Sequence, residues 1–378
     1  MLSVFKTFFA LGWISFGGPA AHIGYFRHTF VEKLRWLNEQ EYAQIVALSQ
    51  FLPGPGSSQV GFAIGYHRAG LTGACAAFLG FTLPSVLIML LLASLAASLT
   101  DMALFQSIVH GLKLLAVVVV ADAVWGMYKN FCQSRLTVSL CIFTAVVLLI
   151  SPGLISQFAV LLLAAGIGSR WLAAGNPLPD QTFRPSWAPL IVFVLLLLAL
   201  PLFAGYIPAL SLFNDFFQAG SLVFGGGHVV LPLLQNIVGQ QLPQDAFLTG
   251  YATAQAVPGP MFTFATYLGY AMLPQSPLLG ALLATLAVFL PGFLLLLGVL
   301  KHWQTLAAMP RVGGALLGVN AAVVGLLLAA LYQPVFSSAV TSGLDFALIL
   351  VGLYALKQLK LPLVWLVVLF ISAGALLL

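Results

Sequence analysis

The chain has 378 residues, 61% of them hydrophobic and only 6% charged, with a mean hydropathy of +1.07. That balance excludes a water-soluble globular domain, and apolar spans of about twenty residues, the length a helix needs to cross a bilayer, recur from end to end. The net charge of +5 comes without a basic cluster carrying interleaved aromatics, so it reads as topogenic charge; the expected surroundings are a lipid bilayer, with no nucleic-acid partner.

In chain order, the first segment (4–35) breaks at Phe16-Gly17-Gly18-Pro19 and the second (43–67) at Gln50-Phe51-Leu52-Pro53-Gly54-Pro55. Proline removes a backbone donor and glycine admits conformations that other residues avoid. At membrane depth such breaks persist only where protein or a water-filled cavity receives the freed backbone groups. The Met1–Phe16 stretch has the look of a signal peptide, but Phe16-Gly-Gly recurs inside the chain, so it reads as a retained element. Unbroken spans follow near 72–98, 104–128, 136–150 and 154–172, and a further apolar stretch near 187–206. The second half repeats the pattern. A segment over 213–238 breaks at Phe224-Gly225-Gly226-Gly227, and one over 246–271 breaks at Gln255-Ala256-Val257-Pro258-Gly259-Pro260. Spans then follow near 277–300, 312–332, 342–357 and 362–378.

At an offset of about 207 the two halves agree in order, a repeat too long for chance. Gly73-Ala74 meets Gly280-Ala281, Leu83-Pro84 meets Leu290-Pro291, and Gly111 meets Gly318. The organisation is therefore an N-terminal membrane repeat (1–175), a linker with a joining transmembrane helix (176–207) and a C-terminal membrane repeat (208–378). The joining helix has no counterpart, and one extra crossing inverts the second repeat. Basic residues mark alternate loops, at Lys129/Arg135, Arg170/Arg184, Lys301/Arg311 and Lys357/Lys360, while the loops between them carry none. Basic loops belong on the cytoplasmic side, which leaves the C-terminus periplasmic in a bacterial inner membrane. Arg27, Lys33, Arg35 and Arg68 fall inside together only if the broken segments are re-entrant. The expected fold is thus an all-α polytopic membrane protein of two inverted-topology repeats with broken or re-entrant helices; the competing count is thirteen full crossings.

Paired breaks at corresponding positions of two halves mark the binding site of a transporter. The residues at these breaks resemble the chromate ion transporter family in its long, two-domain form. The resemblance lies in Phe16-Gly-Gly-Pro-Ala-Ala-His22-Ile-Gly-Tyr-Phe-Arg27, Trp36-Leu37-Asn38-Glu39, Leu52-Pro-Gly-Pro-Gly-Ser-Ser-Gln59, Gly80-Phe-Thr-Leu-Pro-Ser85, Phe224-Gly-Gly-Gly-His228 and Gln255-Ala-Val-Pro-Gly-Pro260. It implies export of chromate across the inner membrane, proton-motive-force driven as in an antiporter, and chromate resistance, with sulfate as the natural competitor. The residues by themselves reach an anion transporter and stop there.

A dianion needs donors and positive potential, which a helix beginning in mid-membrane supplies through its unpaired N–H groups and dipole. Gly17, Gly18, Gly54, Gly56, Ser57, Ser58 and Gln59 in the first half form the expected anion site with Gly225, Gly226, Gly259 and Thr263 in the second; helix capping alone equally favours Ser at such a start. Gln50 and Gln255 precede the two Pro-Gly-Pro breaks at the same offset and should face protein or cavity, either on the anion or on orphan carbonyls. His22 and His228 follow the glycine breaks out of register with each other; both are candidate donors to the anion and His22 is also the candidate proton carrier, against the plainer reading of a satisfied polar group. Lys113 and Asp122 are charges within one span, nine residues apart and so on different faces; Lys113 is a candidate anion ligand and Asp122 a proton relay, against snorkelling and an interfacial position. Arg27 is an anion ligand or topogenic charge. Cys75, Cys132 and Cys141, odd in number and dispersed, read as packing residues.

No catalytic residues, cofactor or metal are expected. The sequence has no Walker loop for direct ATP coupling, and no His-Glu-x-x-His or Gly-x-Ser-x-Gly that would suggest an intramembrane enzyme. The other readings are an anion channel and a carrier of sulfate or another oxyanion. A homodimer is left open.

Overall fold

The structure, a computed structural model, describes residues 1–99, 102–173, 185–224, 230–239, 241–301 and 309–377. All the regular elements among them are helical. Helix α1 (Leu2–Ile14) ends at the Gly17-Gly18 turn, and α2 (Gly18–Phe26) opens with Pro19 in its first turn, where a missing N–H breaks no bond. It runs on as a π-wound segment, Arg27–Lys33. Helix α3 (Glu39–Phe51) is started by a capping box, with Asn38 Oδ1 accepting from the Glu41 N–H and Glu41 Oε2 from the Asn38 N–H. It stops at Leu52, whose extended backbone is what a following proline requires.

Helix α4 (Gly56–Leu99) resumes after Pro53-Gly54-Pro55 and leaves helical geometry at Ala69-Gly70. Its two parts, 56–68 and 71–99, fold against each other where Gly65 meets the Gly73 carbonyl. Helices α5 (Ala103–Phe131), α6 (Arg135–Ile150), α7 (Leu154–Trp171) and α8 (Trp187–Phe203) follow.

The second half runs through the same order. It comprises α9 (Pro208–Leu222), α10 (Val230–Val238), α11 (Gln244–Ala256), α12 (Phe264–Met272) after a 3-10 turn at Met261–Thr263, and α13 (Pro277–Val299). Helix α14 (Pro310–Ala330) continues into a π turn, Leu331–Phe336, before α15 (Gly343–Lys357) and α16 (Leu363–Leu377). Each helix of one half has its partner in the other, the two parts of α4 corresponding to α12 and α13, and α8 stands alone.

Among the described residues, five helices are long and apolar enough to cross a membrane. Helices α3 and α11, of 13 residues each, are only about 20 Å long, short of the ~30 Å hydrocarbon core. The outer surface is apolar, with Ile150, Ile155 and Leu198 among many exposed aliphatic side chains. A surface of this kind suits lipid and not water.

The halves interlock instead of sitting side by side. Helix α5 crosses α16, with Gly111 against the Phe370 carbonyl and Gly374; at the corresponding place α14 crosses α7, with Gly318 against the Ala164 carbonyl and Gly168. Small residues let helix backbones touch in this way without a hydrophobic driving force. The first helix of each half lies in the crook of its own proline-bent helix. Thus Gly12 of α1 is against Phe81 and Pro84, and Gly220 of α9 is against Val288.

Candidate functional site

The two Pro-Gly-Pro breaks lie in the interior, each held by the opposite half. The Gly54 N–H donates to the Val223 carbonyl at 2.7 Å, and the Gly259 N–H donates to the Ser15 carbonyl at 2.8 Å. Val223 and Ser15 end α9 and α1, so the two bonds are counterparts. A second reciprocal contact lies beside the helix prolines. Gln59 Nε2 donates to the Gly292 carbonyl at 3.0 Å and to the Pro53 carbonyl at 2.9 Å, while Ser85 Oγ donates to the Pro258 carbonyl at 2.8 Å. The backbone carbonyls freed by the breaks are thereby satisfied by protein, as a bilayer demands. Glycine is needed at both centres. Gly54 (φ +122°) has its Cβ direction 2.8 Å from Gly292 Cα, and Gly259 (φ +96°) points its own at Ser85 Oγ.

Around this clasp sits a group of buried hydroxyls in an aromatic wall. His22 is fully buried, with Nε2 3.1 Å from the Ser15 carbonyl and Nδ1 3.1 Å from Ser57 Oγ. A carbonyl only accepts, so Nε2 carries a proton, and in the neutral ring Nδ1 accepts from the Ser57 hydroxyl. The Phe81 ring stands edge-on at 5.2 Å and, with Phe8, Phe26 and Phe30, closes the histidine off. Ser58 Oγ, Ser15 Oγ, Thr82 Oγ1 and Gln59 Oε1 are buried without a hydrogen-bond partner. Such atoms are rare in folded proteins and costly in an apolar interior. Ser57 and Ser58 lie in the first turn of α4, which starts at Gly56 and whose opening N–H groups have no helical acceptor.

The other sequence candidates divide between this cluster and positions away from it. Gly17 and Gly18 form the turn into α2, with Gly18 facing Met261 of the other half. Gln255 is buried and donates to Met261 Sδ, and the Thr263 hydroxyl is committed to the Pro260 carbonyl at 2.8 Å. Gln50 is exposed and lines a cavity of about 450 Å³ with Asn320, the repeat counterpart of Lys113. Gly225, Gly226 and His228 lie outside the described residues.

Three charged candidates are paired elsewhere. Arg27 is half-exposed and bonded to Glu32 and Glu39; its Glu39 hydrogen bond raises its already high pKa, and the His28 hydrogen bond is the main cause lowering that of Glu32. Asp122 pairs with Lys357 of α15, at the end of α5 where Lys129 lies over the Trp125 ring. Lys113 is buried and paired with Asp245 of α11, in a cavity of about 760 Å³. Sequence reasoning passed over Ser15, Thr82, Ser85 and Asp245. Ser85 and Thr82 sit in the Gly80–Ser85 motif, which was the available signal; Ser15 and Asp245 had none. Among the described residues no His/Cys/Asp/Glu cluster is placed to hold a metal ion.

Helix breaks clasped between two interlocked membrane repeats, with orphan donors at a buried helix start, define a polytopic transporter. The profile of the chromate transporter family matches residues 2–169 and again 210–376, and the chain belongs to that family. It is 28% identical to an uncharacterized transporter of Methanocaldococcus jannaschii over 339 residues, 87% of this chain and 83% of the relative. It is 28% identical to a chromate transport protein of Cupriavidus metallidurans (84% of this chain, 78% of the relative) and 29% to one of Pseudomonas aeruginosa (86% and 78%). No solved structure matches it.

Proposed function

We propose that the chain exports chromate across the inner membrane through one asymmetric anion site at the start of α4, driven by the membrane potential, the electrical part of the proton motive force, and giving chromate resistance. The observation that carries this reading is the Ser58 hydroxyl, buried and unpartnered in the first turn of a helix that begins inside the protein. With Ser57 and the opening amides of α4 it offers convergent donors to a tetrahedral dianion, and sulfate would compete by shape. Each negative charge leaving a cell with an inside-negative potential gains about 2.3 kcal/mol per 100 mV, which favours outward movement.

His22 links the site to protons. Neutral, it accepts the Ser57 hydroxyl's hydrogen bond at Nδ1; protonated, it donates through Nδ1 and frees the Ser57 O–H to turn toward the anion. Proton and anion then favour one another. This sign suits a proton that accompanies the anion better than one exchanged for it, leaving one net negative charge for the potential to drive.

The decisive experiment is chromate and sulfate flux in vesicles, with the potential clamped at zero and a pH gradient imposed. Accumulation of chromate on the side toward which protons flow is the expected result. Purely downhill movement would show an anion channel instead. Replacing Ser57 and Ser58 together by alanine should reduce flux by an order of magnitude or more, at about 1.4 kcal/mol per decade; unaltered flux would overturn the site.

A further inference from the structure

We propose that the cavity between α5, α11 and α12 holds a second site for a small oxyanion dianion, formed when Asp245 lets go of Lys113. The inference rests on the anion-transport reading above but not on the site at α4.

Lys113 is the buried member of its pair, its side chain 9% exposed, whereas that of Asp245 is 74% exposed. The asymmetry decides which partner can leave. Asp245 loses little by turning into water, while the ammonium left behind is an uncompensated buried charge, the costly outcome for a buried pair. A dianion entering the cavity supplies the missing countercharge. The neighbouring pair on the same face of α5 behaves differently. His110 meets Asp345 at 2.9 Å, but Asp345 is fully buried and also accepts from the Thr341 N–H and hydroxyl and the Ser342 N–H. That carboxylate is locked, so Lys113 is the exchangeable cation.

The vacated position also has a helix start beside it. Asp245 is in the first turn of α11, whose 13 residues lead directly to Pro258-Gly259-Pro260. An anion held there and on Lys113 therefore sits at the far end of the helix that enters the second break. Thr249 ties this turn through its hydroxyl bond to the Asp245 carbonyl, 2.6 Å, which leaves the carboxylate free to move without unravelling the helix. The repeat counterpart of Lys113, Asn320, lines the smaller cavity with Gln50 and carries no charge. The larger cavity thus has a self-occupied anion site, and the smaller one is lined by no cation among the described residues. Asp245, tethered at high effective concentration, expels the anion again and keeps this site from trapping its ligand.

Equilibrium dialysis of the full chain in nanodiscs against radiolabelled sulfate, a non-oxidising tetrahedral dianion, tests this. Asp245→Asn removes the internal competitor and should tighten one binding event by about tenfold or more, giving two sulfates per chain. Asp245→Asn with Lys113→Gln should bind one, and Asp245→Asn with Ser57→Ala and Ser58→Ala should also bind one, at Lys113. A merely structural ion pair predicts the opposite sign, weaker or unchanged sulfate binding in Asp245→Asn; that result, or two sulfates retained after Lys113→Gln, overturns the proposal. Two sulfates retained after the double serine substitution would instead overturn the α4 site and leave this one standing.

Discussion

His22 occupies a position where one side chain meets a carbonyl that the other half also uses. Its Nε2 shares the Ser15 carbonyl with the Gly259 N–H of the second break, and its Nδ1 reaches the Ser57 hydroxyl at the start of α4. Because the carbonyl fixes Nε2 as donor, the remaining proton decision falls on Nδ1 and Ser57 alone. Among the described contacts of the ring there is no carboxylate or second cation, only Phe81, Ser15 and Ser57. A bound dianion is then the group that makes the protonated ring favourable, and anion affinity should rise as pH falls. His22→Gln keeps a donor toward the Ser15 carbonyl and an acceptor toward Ser57 but cannot take up a proton. Chromate binding by this variant is expected to persist and to lose most of its dependence on pH. A variant whose affinity still climbs with acid would move the proton-sensitive group elsewhere in the chain.

At the scale of helices, glycine contacts determine which half packs on which. Gly111 and Gly318 occupy matching places on α5 and α14, yet each faces the last helix of the other half and not of its own. A side chain at either position would run into a backbone carbonyl, and a backbone cannot rotate away as a side chain can. Gly318→Leu should therefore separate α14 from α7 and destabilise the fold by about 1–3 kcal/mol, as overpacking does; Gly313→Leu, where a side chain meets open space, should be near neutral. Thermal unfolding of the two variants in detergent compares them directly. The helices themselves were legible in the sequence because apolar runs and Pro/Gly punctuation are local signals. The exchange of α7 and α16 between halves was not, since a repeat offset pairs equivalent residues without saying which halves touch. The same limit applies to the site. Ser57 and Ser58 could be picked out from a local motif, but the Thr263 hydroxyl turns back on Pro260, and the Lys113–Asp245 pair spans 132 positions of sequence. No local pattern encodes that pair.

For the whole molecule, the reciprocal bonds at Gly54 and Gly259 and the crossed contacts of α5 and α14 relate the halves as equivalents around a shared centre. Two equivalents joined by an unpaired α8 are expected to lie in the bilayer in opposite senses, because one odd crossing reverses everything after it. Helices α3 and α11 each reach only about two-thirds of the hydrocarbon thickness, so each is expected to pair with its successor, either as a hairpin that enters and leaves on one face or as one broken crossing. Loop charge favours the hairpins: the α2–α3 connection, rich in Arg and Lys, is expected inside, and the α10–α11 connection, with no basic residue, is expected outside. Labelling with a membrane-impermeant maleimide separates this arrangement from thirteen full crossings. In a chain with Cys75, Cys132 and Cys141 replaced, Gln40→Cys should react only after the cells are permeabilised, whereas Gln241→Cys should react in intact cells. Reaction of Gln40→Cys from outside would mean that the first broken segment crosses completely. The two halves would then no longer present their breaks from opposite faces.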